Sequence, residues 1–547
     1  MTNMSAFAQE IMENYYSWDV GGRKETWEEI AERVVENVLS VVGDKVDLRT
    51  RNQLKQFIKE RKFIPGGRYL ASAGRDFHMV QNCFMLRAED TREGWGDLLS
   101  KATTALMSGG GVGIDYSALR EKDAYLKSIG GVAAGPIALM QAVNEAGRAA
   151  RRGGNGRAAL WAGLRWDHPD IFEFITIKNW SEDVKALKQK DFSFPATLDF
   201  TNISVILNRE FFDAYNDENN IKHKLAQKVY WMTIGQMLKT GEPGFSVNYA
   251  NENESLRNAC TEVLSEDDSD VCNLGSINLA RIKDIPELTR VIYCATAFLL
   301  AGSIYSDVPY AKVAEVRAKN RRIGLGLMGL HEWLLTRGCN YEANMGLEYW
   351  LEVYVRDTDF YAGVWAMTFN VNKPVKTRAI APNGTISIIA ETTSGIEPIF
   401  CTAYKRRFFE KTERKWQYVV DPTAKRLIDA GVSLSKIEDA YSLSEDVERR
   451  VAFQAWVQQY VDHGISSTIN LPAWGSKFNN EDTVKSFGET LFKYLPKLRG
   501  ITCYPDGARS GQPLTPVSYY DAIMHSGTTF DEVYDVCELT KGGSCGA

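Results

Sequence analysis

The chain has 547 residues, of which 44% are hydrophobic and 24% charged, and its formal net charge at pH 7 is −6. This is the composition of an ordinary globular protein, and its acidic balance offers no basic surface for a nucleic acid or a membrane. The nine cysteines include no CxxC pair and the six histidines are scattered, which argues against a disulfide framework and against a zinc site.

The predicted elements begin with helices. Apolar residues in "TWEEIAERVVENVLSVV" recur at spacings of three and four, which predicts a helical segment over residues 1–60. Short strand candidates such as "GVGID", "TNISVIL" and "TISIIA" then alternate with longer helices, which is typical of an α/β domain, here predicted over residues 61–520. The apolar run "VIYCATAFLLAGSIY" is interpreted as a buried helix, and no membrane span or signal peptide is predicted. Residues 521–547 are predicted to form a flexible tail.

The stretch "NACTEV" places Asn258, Cys260 and Glu262 at alternate positions. If this stretch is extended, the three side chains share one face. The amide could then hold a substrate hydroxyl, and the carboxylate could act as a general base beside the thiol. A loop with a buried, inert cysteine is the alternative, and this motif alone leaves it open.

Other cysteines offer redox chemistry. Cys83 in "QNCFMLRAED" and Cys272 in "DVCNLGSINL" are each compatible with an inert core position, but with Cys260 they could form a site that oxidises two thiols. In the tail, Cys537 and Cys545 could shuttle electrons by thiol–disulfide exchange, or they could be incidental.

Three glycine-bearing segments could contact phosphate. "MSGGGVGIDYSALR" and "RRGGNGRAAL", with Arg120, Arg152 and Arg157 nearby, match neither common phosphate-loop pattern, so a plain turn explains them equally well. "APNGTIS" is the stronger candidate, because the backbone N–H groups of a Pro-Asn-Gly-Thr turn and the hydroxyls of Thr385 and Ser387 could bind phosphate.

The order of these motifs resembles the catalytic subunit of ribonucleotide reductase, over roughly residues 60–547. The matching pieces are "NCF", "GGGVGID", "RRGGNGRAA", "NACTEV", "CNLGSINL", "NRRIGLGLMGL", "APNGTIS", "SGIEPIF", "STINLP" and a cysteine-bearing end. The resemblance implies an α/β fold, a ten-stranded barrel of two antiparallel halves, each with five parallel strands. A finger loop inside the barrel would carry Cys260.

The resemblance also implies a role for each site residue. Cys260 would be the thiyl radical that abstracts the 3′ hydrogen of the substrate, Glu262 would accept the 3′-hydroxyl proton, and Asn258 would hydrogen-bond the ribose. Cys83 and Cys272 would reduce the 2′ position and become a disulfide, which Cys537 and Cys545 would re-reduce before thioredoxin or glutaredoxin reduces them. The substrate-binding positions would be Asn82, Pro382, Asn383, Gly384, Thr385, Ile386 and Ser387.

Allosteric control follows from the same resemblance. Deoxynucleotides or ATP, with Mg²⁺, would act as effectors at Asp90, Arg120, Arg152 and Arg157, and residues 151–159 would relay the effector's identity to the base pocket. Effector binding would promote a homodimer. The early position of Cys83 leaves no room for the family's N-terminal ATP-cone, as in compact phage forms.

The radical source has two candidates. Metal-dependent members need two adjacent tyrosines near the C-terminus to pass a radical from a partner beta subunit, and Tyr519 with Tyr520, or Tyr504 in "GITCYP", could serve. "GITCYPDGARSGQPLTPV" and "APNGTIS" look instead like the adenosylcobalamin-dependent class. We favour the metal-containing beta subunit and keep adenosylcobalamin as the alternative; this chain itself is expected to bind no metal.

The resemblance implies a cytoplasmic enzyme, in the host cytoplasm if a phage encodes it, acting on ribonucleoside diphosphates, with triphosphates as the alternative. Two other functions fit the residues. One is a thiol–disulfide oxidoreductase without radical chemistry, and the other is a nucleotide-binding regulator that never consumes a ribonucleotide.

Overall fold

The computed structural model of the protein describes residues 4–127, 130–152, 159–191, 194–410, 413–508, 514–526 and 528–531. Arg157, Cys537 and Cys545 lie outside these residues, and so does the side chain of Arg152. The predicted α/β class is confirmed, because helices surround one ten-stranded mixed sheet.

The N-terminal part is mainly helical. Thr26 and Glu29 form a capping box at the start of the second helix, so its first N–H groups are satisfied. Val34 and Val38 of that helix share a hydrophobic cluster with Phe298, so the N-terminal helices pack onto the rest of the fold. The elements are α1 (Ala6–Tyr15), β1 (Asp19–Val20), β2 (Arg23–Lys24), α2 (Trp27–Ser40), α3 (Leu48–Lys59), β3 (Phe63–Pro65) and α4 (Gly67–Ser72).

Five parallel strands with connecting helices form the first half of the sheet. Each strand pairs with the next in chain order, and parallel neighbours require such long crossovers. The strands are β4 (Cys83–Arg87), β5 (Gly111–Asp115), β6 (Leu160–Arg165), β7 (Thr201–Leu207) and β8 (Gly244–Val247). The helices are α5 (Arg92–Met107), α6 (Pro136–Arg152), α7 (Ile171–Thr176), α8 (Glu182–Lys190), α9 (Arg209–Asn216) and α10 (His223–Thr240).

A short hairpin and the start of the second half follow. The strands are β9 (Leu256–Arg257), β10 (Leu264–Ser265), β11 (Asp270–Asn278) and β12 (Ile323–Met328). The helices are α11 (Ile285–Tyr305), α12 (Ala311–Asn320), α13 (Leu330–Thr336), α14 (Met345–Phe369) and α15 (Gly384–Ala390). Among the described residues α11 alone is long and apolar enough to span a membrane, and because most of it is buried inside the protein it is a core helix.

The C-terminal part completes the large sheet and adds a small one. Its strands are β13 (Ala403–Glu410), β14 (Glu413–Val420), β15 (Thr468–Leu471), β16 (Gly500–Pro505), β17 (Leu514–Pro516) and β18 (Thr529–Asp531). Its helices are α16 (Pro422–Asp429), α17 (Val447–Val457), α18 (Val484–Tyr494) and α19 (Tyr519–Met524). Strands β17, β13, β14 and β18 form a separate antiparallel sheet.

The two halves of the large sheet run in opposite directions. β11 pairs antiparallel with β4, and β16 pairs antiparallel with β8, whereas β11 with β12 and β15 with β16 are parallel. The ladder of strands does not close between β12 and β15. Isolated parallel bridges join Leu325 to Arg378 and Ile380 to Ile465 in that gap, so the sheet curves toward a barrel around the β9–β10 hairpin.

Candidate active site

Residues 258–263 join β9 to β10 and are here called the finger loop. The Asn258 side-chain oxygen accepts a hydrogen bond from the Val263 N–H (3.0 Å), and the Asn258 carbonyl accepts one from the Thr261 N–H (3.0 Å). Thr261 has a φ of +67°, in the left-handed region. The loop is therefore a tight turn and not the extended strand that the alternation suggested, with Cys260 within the turn.

Two glycines of "GGGVGID" let the finger loop lie directly on β5. A Cβ at Gly113 would stand 1.9 Å from the Arg257 carbonyl oxygen, and a Cβ at Gly111 would stand 3.0 Å from Cβ of Ala259. A side chain at position 113 would therefore displace the loop. These glycines serve close packing of backbone, a role that the phosphate interpretation of this segment did not include.

Sequence reasoning missed Arg257, the last residue of β9, which holds the start of the finger loop in place. Its side chain is fully buried and donates hydrogen bonds to the Val247 carbonyl and to the Asn248 side-chain oxygen, at the end of β8. Burial lowers its pKa to about 9. Only the three-dimensional contact between β9 and β8 reveals this role, because nothing in the local sequence pattern distinguishes Arg257 from a surface arginine.

Four of the five predicted catalytic residues line one cavity of about 270 Å³, and the fifth, Cys272, does not line it. Its wall brings together segments that are distant in sequence: the strand start at β4, the finger loop and the turn before α15. The predicted residues that line it are Asn82, Cys83, Asn258, Cys260, Glu262, Pro382, Asn383, Gly384, Thr385 and Ile386. A larger cavity of about 870 Å³, between α1 and α3, contains none of the predicted site residues.

Glu262 is the ionisable centre of this cavity. Burial raises its pKa to about 7, against which hydrogen bonds from Asn258 and Cys83 act. One carboxylate oxygen lies 3.9 Å from the Cys83 sulfur, whereas the other is buried and has no partner among the described residues. A carboxyl group with this pKa and a free oxygen is suited to accept and return a proton near neutral pH.

Cys83 and Cys272 are directly opposite each other across the antiparallel β4–β11 pair. Opposite residues in such a pair have Cα atoms about 4.5–5.5 Å apart, which is within the range that a disulfide requires. Both thiols are free and buried. Burial raises both pKa values well above the usual range, and the nearby Glu262 carboxyl contributes, so the thiols remain protonated.

Cys260 borders two cavities. Burial raises the pKa of the Cys260 thiol, and the neighbouring Glu262 carboxyl raises it further. The second cavity, of about 240 Å³, shares Ala259, Cys260 and Pro382 with the first, and its wall also includes Trp161 and Tyr504. Cys260 is thus accessible from two separate spaces within the sheet.

The tyrosine pair expected to carry a radical lies elsewhere. Tyr519 and Tyr520 begin α19, which packs on the small antiparallel sheet, and Tyr520 is 75% exposed. Neither residue lines the cavities that Cys260 borders. Of the three candidates only Tyr504, on β16, reaches one of these cavities.

The turn before α15 is held by its own polar groups. Asn383 has a φ of +53°, and its side-chain oxygen accepts a hydrogen bond from the Ser276 hydroxyl (2.9 Å) on β11. The hydroxyl of Ser387 bonds back to the Gly384 carbonyl (3.2 Å), and Ser387 does not line the cavity, unlike the predicted residues before it.

Two of the predicted effector residues, Asp90 and Arg120, lie among the described residues and do not line the cavity. Asp90 and Arg120 form an ion pair at 2.8 Å, with both side chains partly exposed near the start of α5. Among the described residues no group of three or more His, Cys, Asp and Glu side chains is arranged to hold a metal ion.

Comparison with known proteins places this geometry in context. The chain matches the family profile "Ribonucleotide reductase, barrel domain" over residues 81–251, 226–355 and 375–497. A Thermoplasma acidophilum protein named vitamin B12-dependent ribonucleoside-diphosphate reductase is 28% identical over 519 residues, which cover 85% of this chain and 66% of the relative. A Mycobacterium tuberculosis protein of the same name is 27% identical over 588 residues, covering 95% and 82%. A Mycobacterium phage D29 protein, provisionally named adenosylcobalamin-dependent ribonucleoside-triphosphate reductase, is 24% identical and covers 96% of both chains.

These relatives correct one expectation. The prediction from the sequence that a metal-containing beta subunit is the radical source is wrong, because the relatives are named for vitamin B12 or adenosylcobalamin. Tyr520 is exposed and Tyr519 is partly exposed, and neither lines a cavity at Cys260, which agrees with the correction. Two adjacent tyrosines occur by chance in a chain with 24 of them, so the pair was a weak sign of radical transfer.

Proposed function

The chain belongs to the ribonucleotide reductase family, and on that premise we propose that it reduces ribonucleotides to 2′-deoxyribonucleotides through a thiyl radical at Cys260. The observation that carries the proposal is the single cavity into which Cys260, Glu262, Asn258 and Cys83 converge. An inert cysteine would not need a buried carboxyl group with an unpartnered oxygen beside it.

The first half of the reaction uses the finger loop. The thiyl form of Cys260 takes the hydrogen atom from C3′ and becomes a thiol. Glu262 accepts the proton of the 3′-hydroxyl, for which its unpartnered oxygen and its pKa of about 7 suit it. Asn258 and Asn82 hold the ribose hydroxyls in this reaction.

The second half uses the opposed cysteines. The 2′ carbon–oxygen bond breaks and its oxygen leaves as water, taking one hydrogen from the dithiol. The other thiol hydrogen goes to C2′, and a disulfide bond forms between Cys83 and Cys272. Cys260 returns its hydrogen to C3′, and Glu262 returns the proton to the 3′ oxygen. The balance is one ribonucleotide and one dithiol consumed for one deoxyribonucleotide, one disulfide and one water.

Adenosylcobalamin is the radical source that we propose, following the names of the relatives. When bound, it supplies a carbon-centred radical able to remove the hydrogen atom of a thiol. The second cavity beside Cys260 fits a nucleoside-sized group, since it has about 240 Å³ and combines the Trp161 and Tyr504 rings with the Ser204 hydroxyl. Those residues would hold the group next to the Cys260 thiol.

We further propose ribonucleoside diphosphates as substrates, bound through residues 382–386 (the turn before α15 and the first residues of that helix), because the Thermoplasma and M. tuberculosis relatives are named for them. The tail cysteines Cys537 and Cys545 would re-reduce the disulfide and exchange with thioredoxin or glutaredoxin in the cytoplasm. Deoxynucleotide effectors would bind at Asp90 and Arg120 and promote a homodimer. Unchanged base preference across four effectors would count against this effector site.

The decisive assay uses the purified full chain with adenosylcobalamin, dithiothreitol, Mg²⁺ and each ribonucleotide as diphosphate and as triphosphate. We expect deoxyribonucleotide from the wild type, none from Cys260→Ala, and wild-type turnover from Cys339→Ala, whose partly exposed thiol lines neither cavity at Cys260. Deoxyribonucleotide from Cys260→Ala would show that Cys260 does not carry the radical. Thiol–disulfide exchange without any deoxyribonucleotide, in the wild type and in Cys260→Ala alike, would indicate simple dithiol chemistry. Binding of nucleotides without any turnover would indicate a regulator.

A further inference from the structure

The first helix is attached to both ends of the helix that follows the phosphate turn. Near the end of α15, the Ser5 N–H donates a hydrogen bond to the Glu391 carboxylate (2.9 Å), which Arg61 also holds in an ion pair (2.7 Å). Near its start, the Tyr16 hydroxyl forms a hydrogen bond with the Thr385 hydroxyl. The N-terminal segment therefore contacts both ends of α15.

Tyr16 stands directly behind the wall of the substrate cavity. Its side chain is buried, and a Cβ at Gly67 would lie 2.7 Å from its hydroxyl oxygen. Gly67 and Thr385 both line the 270 Å³ cavity. The Tyr16 hydroxyl thus touches two pieces of the wall without opening onto the cavity itself.

The chemistry of the two hydroxyl groups indicates which of them donates the hydrogen bond between Tyr16 and Thr385. Burial raises the pKa of Tyr16, so its phenol keeps its proton and can donate throughout the neutral range. A hydroxyl has one hydrogen to give and can accept others. When Tyr16 donates to the Thr385 oxygen, the hydrogen of Thr385 is left free to point elsewhere, and the cavity is the space that this partly exposed residue borders.

We propose that Tyr16 is a positioning residue for the substrate phosphate: its hydroxyl orients the hydroxyl of Thr385, which then donates to a phosphate oxygen. This inference rests on the proposed function, because it takes the turn before α15 as the phosphate site. The N-terminal segment would then contribute to substrate binding through Tyr16. Its contribution would act on the phosphates and not on the base or the ribose.

The test compares Tyr16→Phe with Tyr15→Phe, the neighbouring tyrosine whose side chain is 56% exposed. Binding of CDP and of cytidine is measured by calorimetry on the full chain, and CDP turnover is measured with adenosylcobalamin and dithiothreitol. We expect Tyr16→Phe to weaken CDP binding about fivefold, the typical worth of one hydrogen bond, and to raise KM similarly with kcat unchanged. Cytidine binding and every property of Tyr15→Phe should equal the wild type.

A double variant isolates the route through Thr385. Thr385→Val should weaken CDP binding by itself, and adding Tyr16→Phe should then have no further effect, because both changes remove the same donor. Equal weakening of CDP and cytidine binding by Tyr16→Phe would mean general damage to the fold and would overturn the inference. Additive effects of the two changes, or CDP binding unchanged in Tyr16→Phe, would also overturn it.

The outcomes for the two proposals can be told apart. If the wild type turns over CDP and Tyr16→Phe behaves like it, the positioning role fails and the reductase function stands. If CDP binds, with the predicted loss in Tyr16→Phe, but no deoxynucleotide forms, the positioning role stands and the reductase function fails. Thermal unfolding of each variant confirms that the comparison is made on folded protein.

Discussion

Cys272 and Cys294 are equally buried but lie on different sides of the sheet. Cys272, on β11, shares a small cluster with Cys83 and with the finger residue Val263, inside the curve of the sheet. Cys294, on α11, belongs to the large hydrophobic cluster formed by the outer helices. Burial raises the pKa of both thiols, that of Cys294 to about 12, so protonation state does not distinguish them.

The two thiols differ in the polar groups that surround them. The interior contains the Glu262 carboxyl with its unpartnered oxygen, and a second thiol is opposite Cys272. The outer layer is dominated by apolar side chains that pack helix to sheet. Burial alone is therefore a poor guide to a reactive cysteine, whereas an unsatisfied ionisable group beside it is informative. Four predictions test this contrast between inside and outside.

The largest effect is expected from substituting single cysteines by alanine. Cys272→Ala should abolish steady-state deoxynucleotide formation, because no disulfide can form with Cys83. Cys294→Ala should turn over near the wild-type rate. Both changes should cost about 1 kcal/mol of unfolding free energy, since each removes a buried sulfur. Turnover assays and denaturant unfolding on the same samples check this, and equal activity of the two variants would remove the functional distinction.

The next effect concerns the carboxyl group. Glu262→Gln should lower kcat by about 10²–10⁴-fold, the usual contribution of a general base. In the wild type kcat should fall as pH drops below about 7, because protonated Glu262 cannot accept the 3′-hydroxyl proton. Glu397 is a suitable control. Its pKa is also raised by burial, but its carboxylate accepts a hydrogen bond from the Thr468 N–H (2.7 Å), so Glu397→Gln should keep the wild-type pH profile.

The same carboxyl group should make stability depend on pH. Its pKa is about 7 in the folded protein and about 4.3 when unfolded, so the folded state binds the proton more tightly. The contribution of Glu262 to stability is therefore greatest below pH 4 and is lost as pH rises through 7, a cost of about 3–4 kcal/mol. Glu262→Gln should unfold with the larger free energy at pH 8 and show little difference at pH 4.5. Urea unfolding at both values measures this, and a constant difference would contradict it.

Several residues that line the candidate site could be singled out from the sequence because their chemistry is unusual and their order is distinctive. Cys83, Asn258, Cys260 and Glu262 do line one cavity. The α/β alternation was readable only in part: "GVGID" and "TNISVIL" are β5 and β7, but "TISIIA", predicted as a strand, lies in the helix α15. Thiol, amide and carboxyl groups in an unusual order leave this kind of local pattern.

Supporting residues leave no such trace. Arg257 and Tyr16 act through contacts with segments far away in the chain, which a local pattern does not encode. The opposite error occurred at Tyr519 and Tyr520. Their adjacency suggested radical transfer to Cys260, but α19, which carries them, packs on the separate antiparallel sheet. The turn at Thr261 also required tertiary structure, since three alternating residues fit a strand equally well.

The smallest effect is expected from adding one methyl group, either at Gly113 on β5 inside the sheet or at Gly235 on the outer helix α10. Gly113→Ala would place its Cβ 1.9 Å from the Arg257 carbonyl, backbone that cannot rotate away, so the finger loop must shift. We expect a loss of about 1–3 kcal/mol in unfolding free energy, as for other overpacked positions, and a lower kcat with the KM for CDP less affected. Gly235→Ala on α10 is the matched control. Its Cβ would have no neighbour within 4 Å, and alanine should stabilise the helix by about 0.5–1 kcal/mol without changing turnover. If Gly113→Ala kept both its stability and its kcat, the loop would not depend on close contact with β5, and the position of Cys260 would have to be set by Arg257 alone.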